Sequence, residues 1–330
     1  MKIKRSKLLA IAFFITMTNF TGLSHARSGE PVNVVATFSV LGDMVRQIGG
    51  NRINLTTLVG ADSDAHVYQP TPADAQTVAE ANLLIINGVG FEGWLERLIK
   101  ASNYNNPVIT ATNGIALINV EEDESHHDEH EDHEKHEDEH DNKKDLHADH
   151  HHGDTDPHAW MSLANAKIYV NNITNGLISI DPKGEDIYKR NAKDYLTKIN
   201  ALEKQIYNQV NSIPSNKRKV VTPHDAFGYL SAAYNIEFFA PVGFSTESEA
   251  SAGDVAKLIR QIKNNDISAV FIENISDHRL ISQIARETGI RIGGTLYADA
   301  LAKHGPASTY LGMMQHNINT LLSALKKQYK

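Results

Sequence analysis

Residues 32–59, VNVVATFSVLGDMVRQIGGNRINLTTLV, contain the pattern that decides the fold. The apolar run over 32–38 predicts a buried strand, residues 39–49 have the spacing of a helix, and residues 51–59 predict a second strand. The alternation continues with a helix over 72–81 that Thr71 caps, a strand over 82–87, a helix over 91–102 and a strand over 107–111. Such alternation with continuously apolar strands predicts a parallel sheet covered by helices on both faces.

The second half of the chain repeats this pattern. Its predicted strands cover 217–222, 236–242, 268–273 and 291–297, and its predicted helices lie near 225–234, 253–264, 278–288 and 308–327. A chain of 330 residues is also too long for one ordinary core. We therefore expect two lobes of the same α/β class, each a four-stranded, mostly parallel sheet flanked by helices.

Between the two patterns, the spacing predicts a helix over about 162–179 and a longer one over about 183–212. The longer helix carries one apolar stripe, formed by Tyr188, Ala192, Tyr195, Ile199, Leu202, Ile206 and Ile213. Roughly 30 helical residues span about 45 Å, enough to cross the molecule as one rigid connector. The predicted domains are a lobe over 27–180, a linking helix over 181–213 and a lobe over 214–330.

The chain begins with the pattern of a secretory signal over 1–26. A basic MKIKRSK precedes the apolar LLAIAFFITM, and Ser24 and Ala26 are small residues at the cleavage positions. The chain contains no cysteine, which excludes disulfides, thiolate zinc sites and a lipid-modified cysteine. These features predict a periplasmic protein, exported by a Sec-type signal, that is not lipid-anchored.

An acidic arm over 121–152 interrupts the first lobe. It holds ten of the 17 histidines, and residues 121–156 contain 17 acidic residues against three lysines. Because the arm has few apolar residues to bury, residues 121–155 should form a disordered loop. Its histidines and carboxylates should collect divalent metal weakly. The alternative is a linker that is only solvated. Outside the arm and the signal the net charge is near zero, so no nucleic acid partner is expected.

The remaining chain places metal-ligating side chains in four loops that follow strands. His66 follows the second strand, His158 ends the arm, His224 follows the first strand of the second lobe, and Asp299 follows the last strand. In open α/β sheets, ligands bind outside the carboxyl ends of the strands, so these loops should meet in the interlobe cleft. Three imidazoles and one carboxylate would complete a closed metal site, as a carrier needs.

Each of these residues also has an ordinary interpretation. A single histidine in a loop is usually a surface residue, and Asp299 could cap a helix. Metal-bound imidazoles normally donate their second ring N–H to a carboxylate or carbonyl oxygen. The candidates for such partners are Asp64, Asp156, Asp225 and Glu273. Asp225 could instead cap the helix that follows it.

Six motifs resemble a known family, the metal-specific solute-binding proteins of bacterial ABC importers for zinc and manganese. They are VVATFSVLGDMVRQIGG (34–50), DAHVYQPTPAD (64–74), DPHAW (156–160), HDAFGYL (224–230), STESEASAGD (245–254) and GGTLYADAL (293–301). The resemblance implies two α/β lobes joined by a rigid helix, with metal bound between them. It also implies that the ligands are His66, His158, His224 and Asp299.

The donor set favours Zn(II) as the transported ligand, with Mn(II) as the alternative. Manganese-selective members of the family carry a glutamate at the position of His224, whereas three imidazoles and one carboxylate suit zinc. A histidine-rich insertion before DPHAW is also typical of the zinc branch. The linking helix should limit the swing of the lobes, so metal should chiefly rearrange the loop near DPHAW.

The resulting functional prediction is capture of Zn(II) and its delivery to an ABC permease that works with a cytoplasmic ATPase. We expect a monomer, and a periplasmic zinc donor protein is a further candidate partner. Alternatives are a manganese or iron receptor of the same class and a periplasmic zinc buffer or metallochaperone. A zinc hydrolase is disfavoured because the sequence has no HExxH motif. The protein is therefore predicted not to be an enzyme.

Overall fold

A computed structural model describes residues 30–119 and 155–327 of the chain. The predicted signal and the acidic arm up to Asp154 lie outside the described residues. The arm leaves and rejoins the fold at one point, where Asn119 and Thr155 form an antiparallel bridge. Thr155, which the sequence assigned to the loop, is thus paired with the chain on the other side of the arm.

The first lobe is built on a four-stranded sheet. Its elements are β1 (Val32–Phe38), α1 (Ser39–Gly49), β2 (Ile53–Val59), α2 (Pro72–Ala79), β3 (Leu83–Ile86), α3 (Leu95–Ser102) and β4 (Val108–Thr110). The strands lie in the order β2-β1-β3-β4, and every pair is parallel. Thr71 caps α2, because its hydroxyl accepts the backbone N–H of Asp74 and Pro72 occupies the first turn.

The second lobe repeats this topology. After α4 (Leu163–Ile180) and α5 (Glu185–Val210) come β5 (Lys219–Val221), α6 (Gly228–Tyr234), β6 (Glu237–Phe239), α7 (Ala252–Asn264), β7 (Ala269–Glu273), α8 (His278–Thr288), β8 (Ile292–Leu296) and α9 (Tyr310–Lys327). The sheet order is β6-β5-β7-β8, again wholly parallel. The predicted fold class of two lobes with parallel sheets is confirmed.

The long helix α5 spans 26 residues, about 39 Å at the usual rise per residue. It is shorter than predicted because residues 182–184 form a separate 3-10 turn before it. Arg52 anchors this end, since its guanidinium pairs with Asp181 at 2.6 Å and both side chains are buried. The hydroxyl of Tyr188 in α5 donates to the same carboxylate at 2.8 Å. The helix is therefore fastened to the first lobe.

One continuous apolar core runs through both lobes. It includes Val34 of β1, Ile199 of α5, Phe271 of β7 and Leu321 of α9, all buried. The predicted stripe of α5 lies in this core, and a smaller separate cluster packs under α7 and α8. Within the described ranges, no helix combines the length and the apolar character of a membrane span.

Candidate metal centre

Four loops bring the predicted ligands together at the carboxyl ends of the two sheets. His66 lies in the loop between β2 and α2, and His158 immediately precedes a 3-10 turn that leads into α4. His224 follows β5, and Asp299 follows β8. One donor atom from each residue lies within 4.8 Å of the donor atoms of the other three. The topology thus gathers two residues from each lobe into one cluster.

Asp299 occupies the middle of this cluster. Its Oδ2 lies 3.3 Å from Nε2 of His66 and 3.2 Å from Nε2 of His224. Its Oδ1 lies 3.4 Å from Nε2 of His158. Both carboxylate oxygens therefore face imidazole nitrogens. Asp299 could bind a cation through one oxygen or through both.

The cluster is buried, and its donor atoms have no hydrogen-bond partner among the described residues. The four residues are between 0% and 5% exposed. The three Nε2 atoms and both oxygens of Asp299 are buried without a hydrogen-bond partner among the described residues. Unpaired buried polar atoms are costly, so such a group indicates a ligand. Tetrahedral zinc with bonds of about 2.0–2.1 Å separates its ligand atoms by about 3.3 Å, which matches the three distances of 3.2–3.4 Å between Asp299 and the imidazoles.

His158 is held by the aspartate two residues before it. Oδ1 of Asp156 accepts the backbone N–H of His158 and lies 2.8 Å from Nδ1 of its ring. When Nδ1 donates to this carboxylate, as in metal-bound imidazoles, Nε2 presents its lone pair to the cluster. Gly228 permits this arrangement, because a Cβ there would lie 2.4 Å from Oδ2 of Asp156.

His224 has a carboxylate beside it as well. Oε2 of Glu273, the last residue of β7, lies 2.6 Å from Nδ1 of the His224 ring, and both side chains are buried. Nδ1 forms no hydrogen bond of regular geometry with that oxygen, and the contact is an ion pair when the imidazole is protonated. Two of the predicted carboxylate partners, Asp156 and Glu273, are thus located beside imidazoles.

The charges in and around the cluster favour the binding of a cation. Burial alone would lower the pKa of His224, but the charges of Glu273 and Asp299 outweigh it and raise that pKa well above its usual value. Burial alone would raise the pKa of Asp299, yet the adjacent His224 and His158 hold it well below the usual value. The carboxylate thus stays ionised inside the protein, ready to balance positive charge.

The other two predicted partners, Asp64 and Asp225, do not contact an imidazole nitrogen. Asp64 accepts the backbone N–H of His66 at 2.9 Å with Oδ1, because the tight turn brings the main chain to it rather than the ring. Burial, and then the nearby Asp156, raise the pKa of Asp225. Asp225 does not cap α6 either, since the residue before that helix is Phe227.

Several supporting residues were not identified from the sequence. Trp160 donates its indole N–H to the carbonyl of Ala298 at 3.0 Å, which joins the His158 loop to the Asp299 loop. Asn87 donates to the carbonyl of Pro157 at 2.9 Å. Thr246 of the second lobe donates to Asp64 at 2.6 Å. Trp160 and Thr246 lie in the motifs DPHAW and STESEASAGD, which was the only sequence signal for them.

Comparison with known proteins places the chain among metal-uptake proteins. The profile of the family described as "ZnuA: Zinc-uptake complex component A periplasmic" matches residues 34–324. The manganese-binding lipoprotein MntA of Halalkalibacterium halodurans is 30% identical over 308 residues, covering 93% of this chain and 92% of that protein. The iron ABC transporter substrate-binding lipoprotein MtsA of Streptococcus pyogenes is 30% identical and covers 96% and 95%.

A solved structure shares the whole architecture. The periplasmic zinc binding protein TroA from Treponema pallidum superimposes with a TM-score of 0.77 at 26% identity, covering 90% of this chain and 99% of that one. The three relatives are thus named for three different metals, manganese, iron and zinc. The likeness supports metal binding and this fold without selecting one metal.

These comparisons correct one expectation. The sequence predicted a protein that is not lipid-anchored, but MntA and MtsA, which match almost the entire chain, are both named lipoproteins. The prediction rested on the absence of cysteine from the chain. The absence of cysteine is an insufficient basis for excluding a lipid anchor in a protein with such relatives. The prediction is therefore wrong.

Proposed function

Given that the chain belongs to the ZnuA family of zinc-uptake components, we propose that it captures Zn(II) through His66, His158, His224 and Asp299 and passes the ion to a membrane permease. Members of this family are substrate receptors of ABC importers, so the chain is a metal-binding receptor that works with a permease and an ATPase, and is not an enzyme. The domain boundaries at 180 and 213 remain part of the proposal.

The observation that carries the proposal is the closed set of unpartnered donors. Three Nε2 atoms and one carboxylate converge in a buried cluster, and no further metal-ligating group completes another such cluster in the described part of the chain. A catalytic zinc keeps a position open for water or substrate, whereas a carrier fills all positions with protein ligands. The cluster thus supports transport rather than hydrolysis.

Zinc is favoured over manganese by the chemistry of the donors. Three neutral imidazoles form a nitrogen-rich site, and nitrogen sites bind Zn(II) more strongly than Mn(II). The family resemblance drawn from the sequence points the same way, since it implies a glutamate at the position of His224 in manganese-selective members. Mn(II) and Fe(II) remain the alternative ligands, since relatives are named for these metals and Asp299 has a second oxygen that could add a ligand.

The test is competition between Zn(II) and Mn(II) for metal-free protein against a chelator of known affinity. We expect one tightly bound zinc per chain and much weaker manganese. His224→Ala should lower the zinc affinity by at least about a hundredfold, because it removes one of four ligands and leaves Glu273 without its partner. The matched control is His316→Ala, whose ring contacts the carbonyl of Thr295 and is not part of the donor cluster. An unchanged affinity in His224→Ala would refute the assignment.

A variant lacking residues 121–152 separates the receptor from the zinc buffer that the arm also suggested. The ends of the arm already meet at the Asn119–Thr155 bridge, so its removal should leave the fold intact. For a receptor, one zinc should bind as tightly as in the full chain, while weaker additional zinc ions disappear. Loss of all zinc binding would instead support a buffer that works through the arm.

A further inference from the structure

The metal centre is closed, so some part of the protein must move for a metal ion to enter or leave. The sequence suggested the loop near DPHAW. That loop is firmly held, because Pro157, Trp160 and their neighbours are buried and hydrogen-bonded to Asn87 and Ala298. Asp299 lies between the fully buried Ala298 and Ala300. Neither of these loops is suited to opening.

A more exposed stretch, Gly243 to Ala250, covers the cluster from the second lobe. We call it the cover segment. It contains no helix or strand, and Gly243, Glu247, Ser248 and Glu249 are exposed. Its Phe244 ring lies 6.4 Å from the ring of His158, measured between centroids. The cover segment therefore packs beside a metal-ligand ring without a helix or strand of its own, and the carbonyl of Gly243 joins it to the second lobe by accepting the backbone N–H of Asp225 at 3.2 Å.

Two cavities are lined by residues of the cover segment, and each reaches one metal ligand. One of about 500 Å³ is lined by Glu247 together with His66. The other, of about 520 Å³, is lined by Thr246, Ser248 and Glu249 together with His224. The cover segment thus borders two cavities that each touch a ligand, so its displacement would expose both ligands to solvent.

One hydrogen bond ties the cover segment to the first lobe. The hydroxyl of Thr246 donates to Oδ2 of Asp64 at 2.6 Å, and it is the only side-chain hydrogen bond from the segment to that lobe among the described residues. The other oxygen of Asp64 accepts the backbone N–H of His66 at 2.9 Å. A single carboxylate therefore connects the cover segment to a metal-ligand loop.

We propose that the cover segment is the gate of the metal centre and that the Thr246–Asp64 hydrogen bond is the latch that keeps it shut. The proposal rests on the function proposed above, because a gate needs a transported metal. Neither side chain supplies a metal ligand, so loss of the latch favours opening equally with and without metal. A hydrogen bond to a charged group is strong enough to change an opening equilibrium about tenfold or more.

The test is the rate of metal exchange in Thr246→Val, which keeps the shape of the side chain and removes the donor. Zinc association and chelator-driven zinc release are followed by stopped flow on the full chain. Both rate constants should rise about tenfold, while the equilibrium dissociation constant changes by less than about threefold. Thr246→Ser, which retains the hydroxyl, should exchange zinc at the parental rates.

Ser248→Ala is the matched control, because Ser248 lies in the same segment and its side chain makes no hydrogen bond to the first lobe among the described residues. It should leave both rates unchanged. Parental rates in Thr246→Val would overturn the gate. Faster release with unchanged association would also overturn it, since Thr246 would then only position His66 through Asp64. Failure of the parent protein to bind one zinc ion would instead reject the proposed function.

Discussion

Glu273 is a buried carboxylate whose Oε2 lies 2.6 Å from Nδ1 of His224, the ring nitrogen that does not face Asp299. Carboxylates in this position orient the imidazole and strengthen it as a ligand, and their loss typically costs about 10- to 100-fold in metal affinity. We expect Glu273→Gln to weaken zinc binding by this factor in chelator competition, because the neutral amide no longer attracts the ring N–H.

Asp225→Asn provides the control for that prediction. Asp225 is half-buried and close to the imidazoles, but its carboxylate does not contact a ring nitrogen. Its neutralisation should change the affinity little. Equal losses in Glu273→Gln and Asp225→Asn would show that the total negative charge matters and that the specific contact does not.

The raised pKa of His224 predicts how metal binding depends on pH. Below that pKa the ring of the metal-free protein carries a proton that zinc must displace, so affinity should fall about tenfold per pH unit on acidification. Because the pKa is raised in the fold, the decline should begin above the usual histidine value of about 6.5. Competition titrations between pH 5 and 8 measure it, and constant affinity from pH 7 to 5 would contradict it.

The raised pKa of His224 affects the stability of the metal-free fold in the opposite direction to its effect on zinc affinity. A histidine whose pKa is raised on folding stabilises the folded state while it is protonated. This contribution is fully present below the pKa of the unfolded chain and is lost as the pH rises through the folded pKa. The metal-free protein should therefore lose the contribution of His224 to its free energy of unfolding as the pH rises. The loss occurs at the pH values at which the protein binds zinc most tightly.

At the scale of elements, α5 joins the lobes through its buried face. Ile199 is fully buried in the shared core, whereas Lys198 beside it is exposed. Ile199→Ala should lower the free energy of unfolding by about 2–5 kcal/mol, since it removes a buried side chain and leaves a cavity. Lys198→Ala should change it by less than about 0.5 kcal/mol in the same denaturant titration. Similar values for the two variants would contradict the assigned face.

The connections between the ligand loops also belong to this scale. The indole N–H of Trp160 donates to Ala298, and the hydroxyl of Tyr310 at the start of α9 donates to the carbonyl of Trp160 at 2.6 Å. The first backbone N–H of α9 donates to the buried carboxylate of Asp43 in α1 at 2.9 Å. His158 and Asp299 are therefore held in place by contacts that do not involve the metal.

For the whole molecule, the continuous core predicts one cooperative unfolding transition. Both tryptophans, Trp94 and Trp160, belong to the first lobe, while circular dichroism reports on both lobes. Denaturation followed by tryptophan fluorescence and by circular dichroism should therefore give coincident curves. Two separated transitions would show that the lobes unfold independently.

Metal should stabilise this single unit, because ligands from both lobes meet in the site. A free zinc concentration of 100 times the dissociation constant should raise the free energy of unfolding by about 2.7 kcal/mol. The variant without residues 121–152 is the appropriate protein, since an arm that also binds zinc when unfolded would reduce the effect. His224→Ala should lose most of the increase, and full stabilisation of that variant would argue against a metal bridge between the lobes.

Local sequence patterns were sufficient for the architecture. The apolar alternation around residues 32–59 and its repeat in the second half depend only on neighbouring residues, and they predicted all eight strands of the two sheets. The carboxyl ends of parallel strands meet at one edge, so the loops of His66, His158, His224 and Asp299 could be placed together before any side chain was located.

Tertiary structure alone decided which side chains support that cluster. The sequence offered four carboxylates as partners of the imidazoles, and only Asp156 and Glu273 lie beside ring nitrogens. Thr246 reaches Asp64 across 182 positions of the chain. Periodicity predicts which face of an element is buried, but such contacts depend on side-chain direction and on how the two lobes meet. These are properties of the folded molecule that no local pattern encodes.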